Sequence, residues 1–155
     1  MTGLILAAGA STRLGEAKQL LVYQGQTLLE RSIRLAFSVC KEVVVCLGAE
    51  VEQTVPIIQN LKTEFPTLSY VEVGNWEKGM GKSLSVGLRT IDQNKDLLVL
   101  LCDLPFLTNA HMKNIISLAN SERAIVASFQ GVNSPPVFIP ASLRNLFNGW
   151  SGDQG

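Results

Sequence analysis

The sequence has no surplus of charge of either sign and almost no histidine. Its 13 Lys and Arg residues balance 13 Asp and Glu residues, and charged residues make up only 17% of the chain. Binding to nucleic acid or to an anionic membrane surface depends largely on excess basic charge, so neither partner is indicated. A histidine-rich metal centre is excluded because His111 is the only histidine, and its place in the first turn of a predicted helix favours a structural role.

Long hydrophobic runs and paired cysteines are missing as well. No apolar run approaches the roughly 18–20 residues that a membrane-spanning helix needs, and the N-terminus lacks the basic start and cleavage site of a secretory signal. The three cysteines, Cys40, Cys46 and Cys102, form no CxxC motif, and two of them lie in or at the end of apolar runs, which predicts buried free thiols. We therefore expect a cytoplasmic protein.

Hydrophobic residues, in contrast, are plentiful at 46% of 155 residues, which supplies a core and excludes intrinsic disorder. Short apolar runs recur along the chain and predict strands that are buried on both faces. Strands are predicted at residues 4–8, 43–47, 68–73, 97–102, 124–129 and 137–139, the last two joined by a polar turn at 131–133.

Helical patterns lie between these strands. Thr27 and Glu30 have the spacing of a capping box, Thr108 is a second helix cap, and Pro140 suits the first turn of a short last helix. Helices are also predicted over residues 50–61, where Pro56 is expected to break or kink the helix or to start a second turn, and over 83–91. The alternation predicts a three-layer α/β/α sandwich around a mostly parallel, Rossmann-like sheet, whose ligands bind beyond the carboxyl ends of its strands.

The loop after the first predicted strand has the composition of a polyphosphate site. Gly9 and Gly15 let main-chain amides approach a ligand, and Arg13 and Lys18 supply two cations. The alternative is a flexible connection with solvated charges. The loop is neither a dinucleotide fingerprint nor a Walker loop, because glycine is missing at the required positions and Lys18 does not directly follow Gly15.

A second glycine-rich segment, Gly79 to Ser83, contains Gly-Lys-Ser but has Trp76 where a Walker loop requires glycine. We interpret it as a turn that leads into a helix whose N-terminus faces the ligand, with a tight turn capped by Ser83 as the alternative. Trp76 itself, like Trp150, is expected to be a packing or rim residue. Asp103 directly follows an apolar strand, where it could bind a hard cation that bridges phosphates or could cap the turn before Pro105.

Four segments together resemble the MobA-like nucleotidyltransferases. The chain contains LAAGASTRLGEAK at 6–18, GNW with GM, Ser and GL at 74–88, LCDLP at 101–105 and GDQG at 152–155, in the family's order and across nearly its whole length. The most similar subgroup is molybdenum cofactor cytidylyltransferase-like. The resemblance implies the nucleotide-diphosphosugar transferase type of Rossmann-like fold, in one domain over 1–155 that is expected to lack the segment that follows GDxG in relatives.

The resemblance also implies roles for individual residues. Main-chain groups of Leu6, Ala7, Ala8 and Gly9 would contact the nucleotide. Arg13, Lys18 and Asp103 would be catalytic, the two cations holding the triphosphate and the carboxylate binding Mg²⁺. Asn75, Gly79 and Ser83 would contribute to the base and ribose site, and Asp153 would be a second metal ligand or a substrate contact.

The implied reaction is Mg²⁺-dependent transfer of a nucleotidyl group to an acceptor phosphate on a small molecule, such as the molybdopterin cofactor, with release of pyrophosphate. Ala8 favours CMP transfer from CTP, because CTP users of the family typically read LAAG and GTP users LAGG. The alternatives are a sugar-phosphate or methylerythritol-phosphate nucleotidyltransferase and a non-catalytic nucleotide-binding module.

Overall fold

A computed structural model describes residues 1–11 and 15–147 of the chain. The strands are β1 (Thr2–Ala7), β2 (Val22–Tyr23), β3 (Gln26–Thr27), β4 (Glu42–Leu47), β5 (Leu68–Glu72), β6 (Leu97–Leu101), β7 (Ile125–Phe129) and β8 (Val132–Ile139). The helices are α1 (Leu28–Phe37), α2 (Val51–Leu61), α3 (Met80–Thr90) and α4 (Asn109–Ser117). Short 3₁₀ helices span Lys18–Leu20, Trp76–Lys78 and Ala141–Phe147.

Six strands form one sheet in the order β5-β4-β1-β6-β8-β7, and β2 and β3 form a separate small hairpin. β1 pairs in parallel with both β4 and β6, β5 joins β4 in parallel, and β8 and β7 continue the sheet antiparallel. The chain order reverses at β1, because β4 and β5 lie on one side of it and β6 on the other. Such a switch point opens a crevice beyond the carboxyl ends of the strands.

Helices cover both faces of this sheet, which confirms the predicted three-layer sandwich. Alternate β1 residues point to opposite faces, so that Ile5 packs with α1, α2 and α4 while Leu4 packs with α3. The three cysteines are free and buried, as predicted. None of the helices within residues 1–11 and 15–147 is long and apolar enough to cross a membrane.

The predicted break at Pro56 is wrong, since α2 continues through it from Val51 to Leu61. Pro56 lies on the exposed face of the helix, as does Glu52, whose carbonyl loses its helical partner. That carbonyl can be hydrated, which lowers the penalty for an internal proline.

Helix caps and turns differ from the sequence predictions in detail. The Thr27 hydroxyl accepts the amide of Glu30 at 3.1 Å, but the Glu30 carboxylate pairs with Arg34 at 3.3 Å instead of completing a capping box. The full capping box occurs at α4, where the His111 ring accepts the Thr108 amide at 3.1 Å, in keeping with a structural histidine. The β7–β8 turn is tighter than predicted, because β8 already begins at Val132.

Candidate active site

A cleft of about 360 Å³ lies at the carboxyl edge of the sheet, at the switch point beside β1. Its walls come from the loop after β1, the start of the segment after β6, the 3₁₀ helix Trp76–Lys78 and the first turns of α3. The lining residues are Leu6, Ala7, Ala8, Gly9, Ser11, Lys18, Gln19, Trp76, Glu77, Gly79, Met80, Ser83, Leu101, Cys102 and Asp103.

The loop after β1 is tied down at both ends of its described part. The Ala8 carbonyl accepts the amide of Ala49 at 2.9 Å, which fixes the loop to the segment after β4. Ser11 has a positive φ of 54°, and its hydroxyl accepts the main-chain amide of Lys18 at 3.1 Å. The bond between Ser11 and Lys18 closes the loop, so that the Lys18 side chain starts from a defined position over the cleft.

Lys18 and Asp103 meet in this cleft although 85 residues separate them in the sequence. The Lys18 ammonium lies 2.9 Å from Oδ2 of Asp103, and 42% and 32% of the two side chains remain exposed. Both groups therefore stay accessible to a ligand. An ammonium beside a carboxylate provides one donor for phosphate oxygens and one hard oxygen ligand for a divalent cation.

Contacts from α1 hold the segment that carries Asp103. The Ser32 hydroxyl donates to the carbonyl of Cys102 at 3.3 Å. The Arg31 guanidinium donates to the carbonyls of Pro105 at 2.9 Å and Leu107 at 3.2 Å, and it also lies over the Tyr23 ring. Hydrogen bonds from α1 therefore hold the main chain on both sides of Asp103.

The N-terminus of α3 reaches the cleft because α3 packs closely against β1 and β4. A Cβ added to Gly87 would lie 2.6 Å from Cδ1 of Leu4 and 2.8 Å from Sγ of Cys46. In the first turn, the Cys46 thiol donates to the carbonyl of Ser83 at 3.3 Å. Gly79, with a φ of 98°, turns the chain into the helix at the cleft wall.

Trp76 forms another wall and depends on Gly48 for its place. A Cβ at Gly48 would lie 2.7 Å from two atoms of the indole ring and 2.6 Å from the Ala8 carbonyl oxygen. The half-buried ring also packs against the apolar cluster under α3. The expectation of a packing or rim residue is therefore met, and the same ring borders the cleft.

Cys102 lines the cleft but does not supply a thiolate. Burial, reinforced by the neighbouring Asp103 carboxylate, raises the pKa of its thiol to about 12. The thiol therefore stays protonated at neutral pH and is a poor nucleophile and metal ligand.

Most of the residues predicted for the site line the cleft. These are Leu6, Ala7, Ala8, Gly9, Lys18, Gly79, Ser83 and Asp103. Asn75 is not among the lining residues; it is exposed, with a φ of 55°, at the start of the 3₁₀ helix that carries Trp76. Arg13 and Asp153 lie outside the described residues.

Sequence reasoning missed Gln19 and Glu77 as residues of the cleft. Gln19 is only 1% exposed although it follows Lys18 directly. Its burial depends on hydrogen bonds to main-chain carbonyls, for which the sequence gives no signal. Glu77 follows Trp76 on the short 3₁₀ helix, and no feature of the sequence indicates that it lines the cleft.

Two acidic residues of the described chain line the cleft, Glu77 and Asp103, and Asp103 is the one that lies beside Lys18. No cluster of three or more His, Cys, Asp or Glu residues suited to a metal ion occurs within the described parts of the chain. A cation at Asp103 would therefore have to take further ligands from a bound substrate, which is usual for Mg²⁺ on nucleotide phosphates.

Two proteins of similar sequence are named for different activities, one as an oxidoreductase and one as a guanylyltransferase. The chain is 33% identical, over its whole length and 78% of the relative, to nicotine blue oxidoreductase of Paenarthrobacter nicotinovorans. It is 26% identical to a probable molybdenum cofactor guanylyltransferase of Bacillus cytotoxicus, over 87% of this chain and 65% of that protein.

Solved structures show the same fold. Rv0371c from Mycobacterium tuberculosis superposes with a TM-score of 0.78 at 25% identity, over 98% of this chain and 77% of that one. The complex of Rv0371c with manganese gives a TM-score of 0.77 at 23% identity, with the same coverage. Residues 3–155 match the family model described as the MobA-like NTP transferase domain. The chain therefore belongs to the MobA-like NTP transferase family.

Proposed function

We propose that this chain transfers CMP from CTP to the phosphate of a small-molecule acceptor, such as the molybdopterin cofactor, and releases pyrophosphate. The observation that carries the proposal is the meeting of Lys18 and Asp103, 2.9 Å apart, beside the glycine-containing loop after β1. Family membership supports the reaction class, nucleotidyl transfer.

The chemistry needs positioning and charge neutralisation more than proton transfer. An oxygen of the acceptor phosphate forms a bond to the α-phosphorus, and the bond from that phosphorus to the oxygen bridging to the β-phosphate breaks. Pyrophosphate leaves with the electron pair. A phosphate monoester is already anionic near neutral pH, so no general base is required. Lys18, together with Arg13, would stabilise charge on the departing pyrophosphate.

The residues fit a magnesium ion that is carried by the nucleotide. Asp103 offers a partly exposed carboxylate, and Mg²⁺ is commonly held by one or two carboxylates plus substrate phosphates. Asp153 is the proposed second ligand or a substrate contact. When bound there, Mg²⁺ would neutralise the charge that develops on the phosphate oxygens.

The base and ribose would lie against the wall formed by Ala8, Gly79 and Ser83, with Asn75 at its rim. Ala8 is 4% exposed and lines the cleft, and it gives the loop the LAAG form that is typical of CTP users of the family. This supports CTP. The second candidate donor is GTP, favoured by the 26% identical relative named a guanylyltransferase.

Thermal shift with CTP, GTP, ATP and UTP, each with and without Mg²⁺, tests the donor. A ligand at about a hundredfold excess over its Kd adds ~2.7 kcal/mol of stability. We expect the largest Mg²⁺-dependent shift with CTP. If GTP gives the largest shift, the donor is GTP and the reaction is guanylyl transfer. If no nucleotide shifts the Tm, nucleotide binding is refuted.

Pyrophosphate release from CTP and an acceptor phosphate then tests catalysis. We expect release that depends on the acceptor and on a divalent cation. Nucleotide binding without release would identify a non-catalytic binding module. The same assay separates nucleotidyl transfer from the redox chemistry that the name of the Paenarthrobacter relative describes.

A further inference from the structure

Gln19 is a fully buried polar residue that contacts the loop after β1. Its side chain is 1% exposed, and its amide nitrogen donates to the carbonyls of Ala7 at 3.3 Å and Gly9 at 3.2 Å. An amide is costly to bury unless its hydrogen bonds are made, so these two bonds fix the side chain and the two carbonyls together.

Three consecutive carbonyls, at the end of β1 and the start of this loop, have partners within the protein. Gln19 binds those of Ala7 and Gly9, and the carbonyl of Ala8 between them accepts the amide of Ala49 at 2.9 Å. In a trans peptide the carbonyl and the following amide point in opposite directions. Holding these carbonyls therefore also sets the direction of the amides that follow them in the loop.

The same residue couples the loop to Lys18. Gln19 and Lys18 are neighbours in one 3₁₀ helix, and the Lys18 amide donates to the Ser11 hydroxyl at 3.1 Å. The loop amides and the main chain at Lys18 are thus held relative to each other by two tethers, one from Gln19 and one from Ser11.

We propose that Gln19 is a positioning residue, which aligns the loop amides and Lys18 for the phosphates of the nucleotide. It acts through the loop and does not itself touch the substrate. This inference rests on the proposed function, because it assumes that phosphates bind at this loop. It assigns to Gln19 a role in phosphate affinity in addition to its role in folding.

Gln19→Met tests the inference, because methionine keeps the length of the side chain and removes both donors. We expect the Kd for inorganic pyrophosphate and for CTP, measured by calorimetry with Mg²⁺, to rise about ten-fold or more, since small misplacements of binding groups are costly. Ile139→Val is the control: Ile139 is buried and pairs with Leu97 at the start of β6, away from the cleft, so the loss of one methylene should lower the Tm without changing either Kd.

A purely structural Gln19 would lower the Tm of Gln19→Met and leave its pyrophosphate affinity within about two-fold of the wild type, which would overturn the inference. Gln19→Asn keeps the amide but shortens the side chain, so that it cannot reach both carbonyls, and it decides the question if Gln19→Met does not fold. Weaker pyrophosphate binding by Gln19→Asn supports the inference, and unchanged binding refutes it. Wild-type protein that binds neither pyrophosphate nor CTP would refute the proposed function as well.

Discussion

At the scale of single residues, replacing Lys18 should change the reaction rate much more than the stability of the fold. Its ion pair with Asp103 is partly exposed, and such pairs contribute only about 0–1 kcal/mol to stability. Its proposed role in stabilising the departing pyrophosphate is larger, since one lost preorganised contact costs about 2.7–4 kcal/mol of barrier.

We therefore expect Lys18→Ala to fold normally and to lower turnover about 100-fold or more. Pyrophosphate release measures the turnover, and urea unfolding measures the stability. Lys113→Ala, on the exposed face of α4, removes an equal charge from a side chain that does not line the cleft and should retain full turnover. If folded Lys18→Ala releases pyrophosphate at the wild-type rate, Lys18 has no role in catalysis.

Ala8 offers a second test at this scale, directed at the choice of base. Ala8→Gly removes a buried methyl group from the cleft wall. We expect the ratio of CTP to GTP affinity to fall by about ten-fold, because one methyl-sized change in a pocket contributes roughly 1–3 kcal/mol to discrimination. An unchanged ratio, measured by competition calorimetry, would show that position 8 does not read the base.

At the scale of elements, the packing of α3 against the sheet determines where its N-terminus lies in the cleft. Gly87 lets the helix lie against Leu4 and Cys46, and the first turn of the same helix carries Ser83 at the cleft wall. Because a helix moves as a rigid unit, displacement at Gly87 also displaces its N-terminus. Packing and site geometry are therefore coupled through this one element.

Gly87→Ala should destabilise the protein by about 1–3 kcal/mol, the usual cost of overpacking a core, and should also weaken CTP binding. Urea unfolding and calorimetry measure the two effects. Gly74→Ala is the matched control, because a Cβ there meets nothing within 4 Å, and its stability should be unchanged. Equal stability of the two variants would contradict the close packing described for α3.

The elements were the part of the structure most accessible from the sequence. Runs such as Leu97–Leu101 carry enough apolar side chains to specify a strand buried on both faces, and Thr27 and Thr108 mark helix starts by local chemistry. The prediction at Pro56 was wrong because the rule for an internal proline considers one residue and not the face of the helix on which it lies. Pro56 and Glu52 lie on the exposed face, where water can replace the lost hydrogen bond.

At the scale of the whole molecule, the site depends on topology. Lys18 and Asp103 follow different strands, and only the pairing of β1 with β6 brings them together; general rules for parallel sheets anticipated that edge. Gln19 and Arg144 were not anticipated, because their partners are main-chain carbonyls, whose positions the residue pattern does not indicate. Arg144, 3% exposed, donates to the carbonyls of Leu88 and Ile91 at the end of α3.

The buried thiols give the whole molecule a defined response to alkaline pH. Burial raises the pKa of Cys40, Cys46 and Cys102 to about 12 each. An unfolded chain releases thiol protons near pH ~8.5, whereas the folded chain retains them. The free energy of unfolding should therefore fall as the pH rises from about 8.5 towards 12, by up to ~1.4 kcal/mol per pH unit for each thiol.

Urea unfolding at pH 8, 9 and 10 measures this slope, and Cys40→Ala isolates the contribution of one thiol. Because that variant has one proton fewer to release, its stability should fall less steeply with pH than that of the wild type. An ordinary thiol-disulfide reagent should modify all three cysteines only after unfolding. If wild type and Cys40→Ala lose stability in parallel above pH 9, the Cys40 thiol titrates alike in the folded and unfolded chain, and its burial does not control its ionisation.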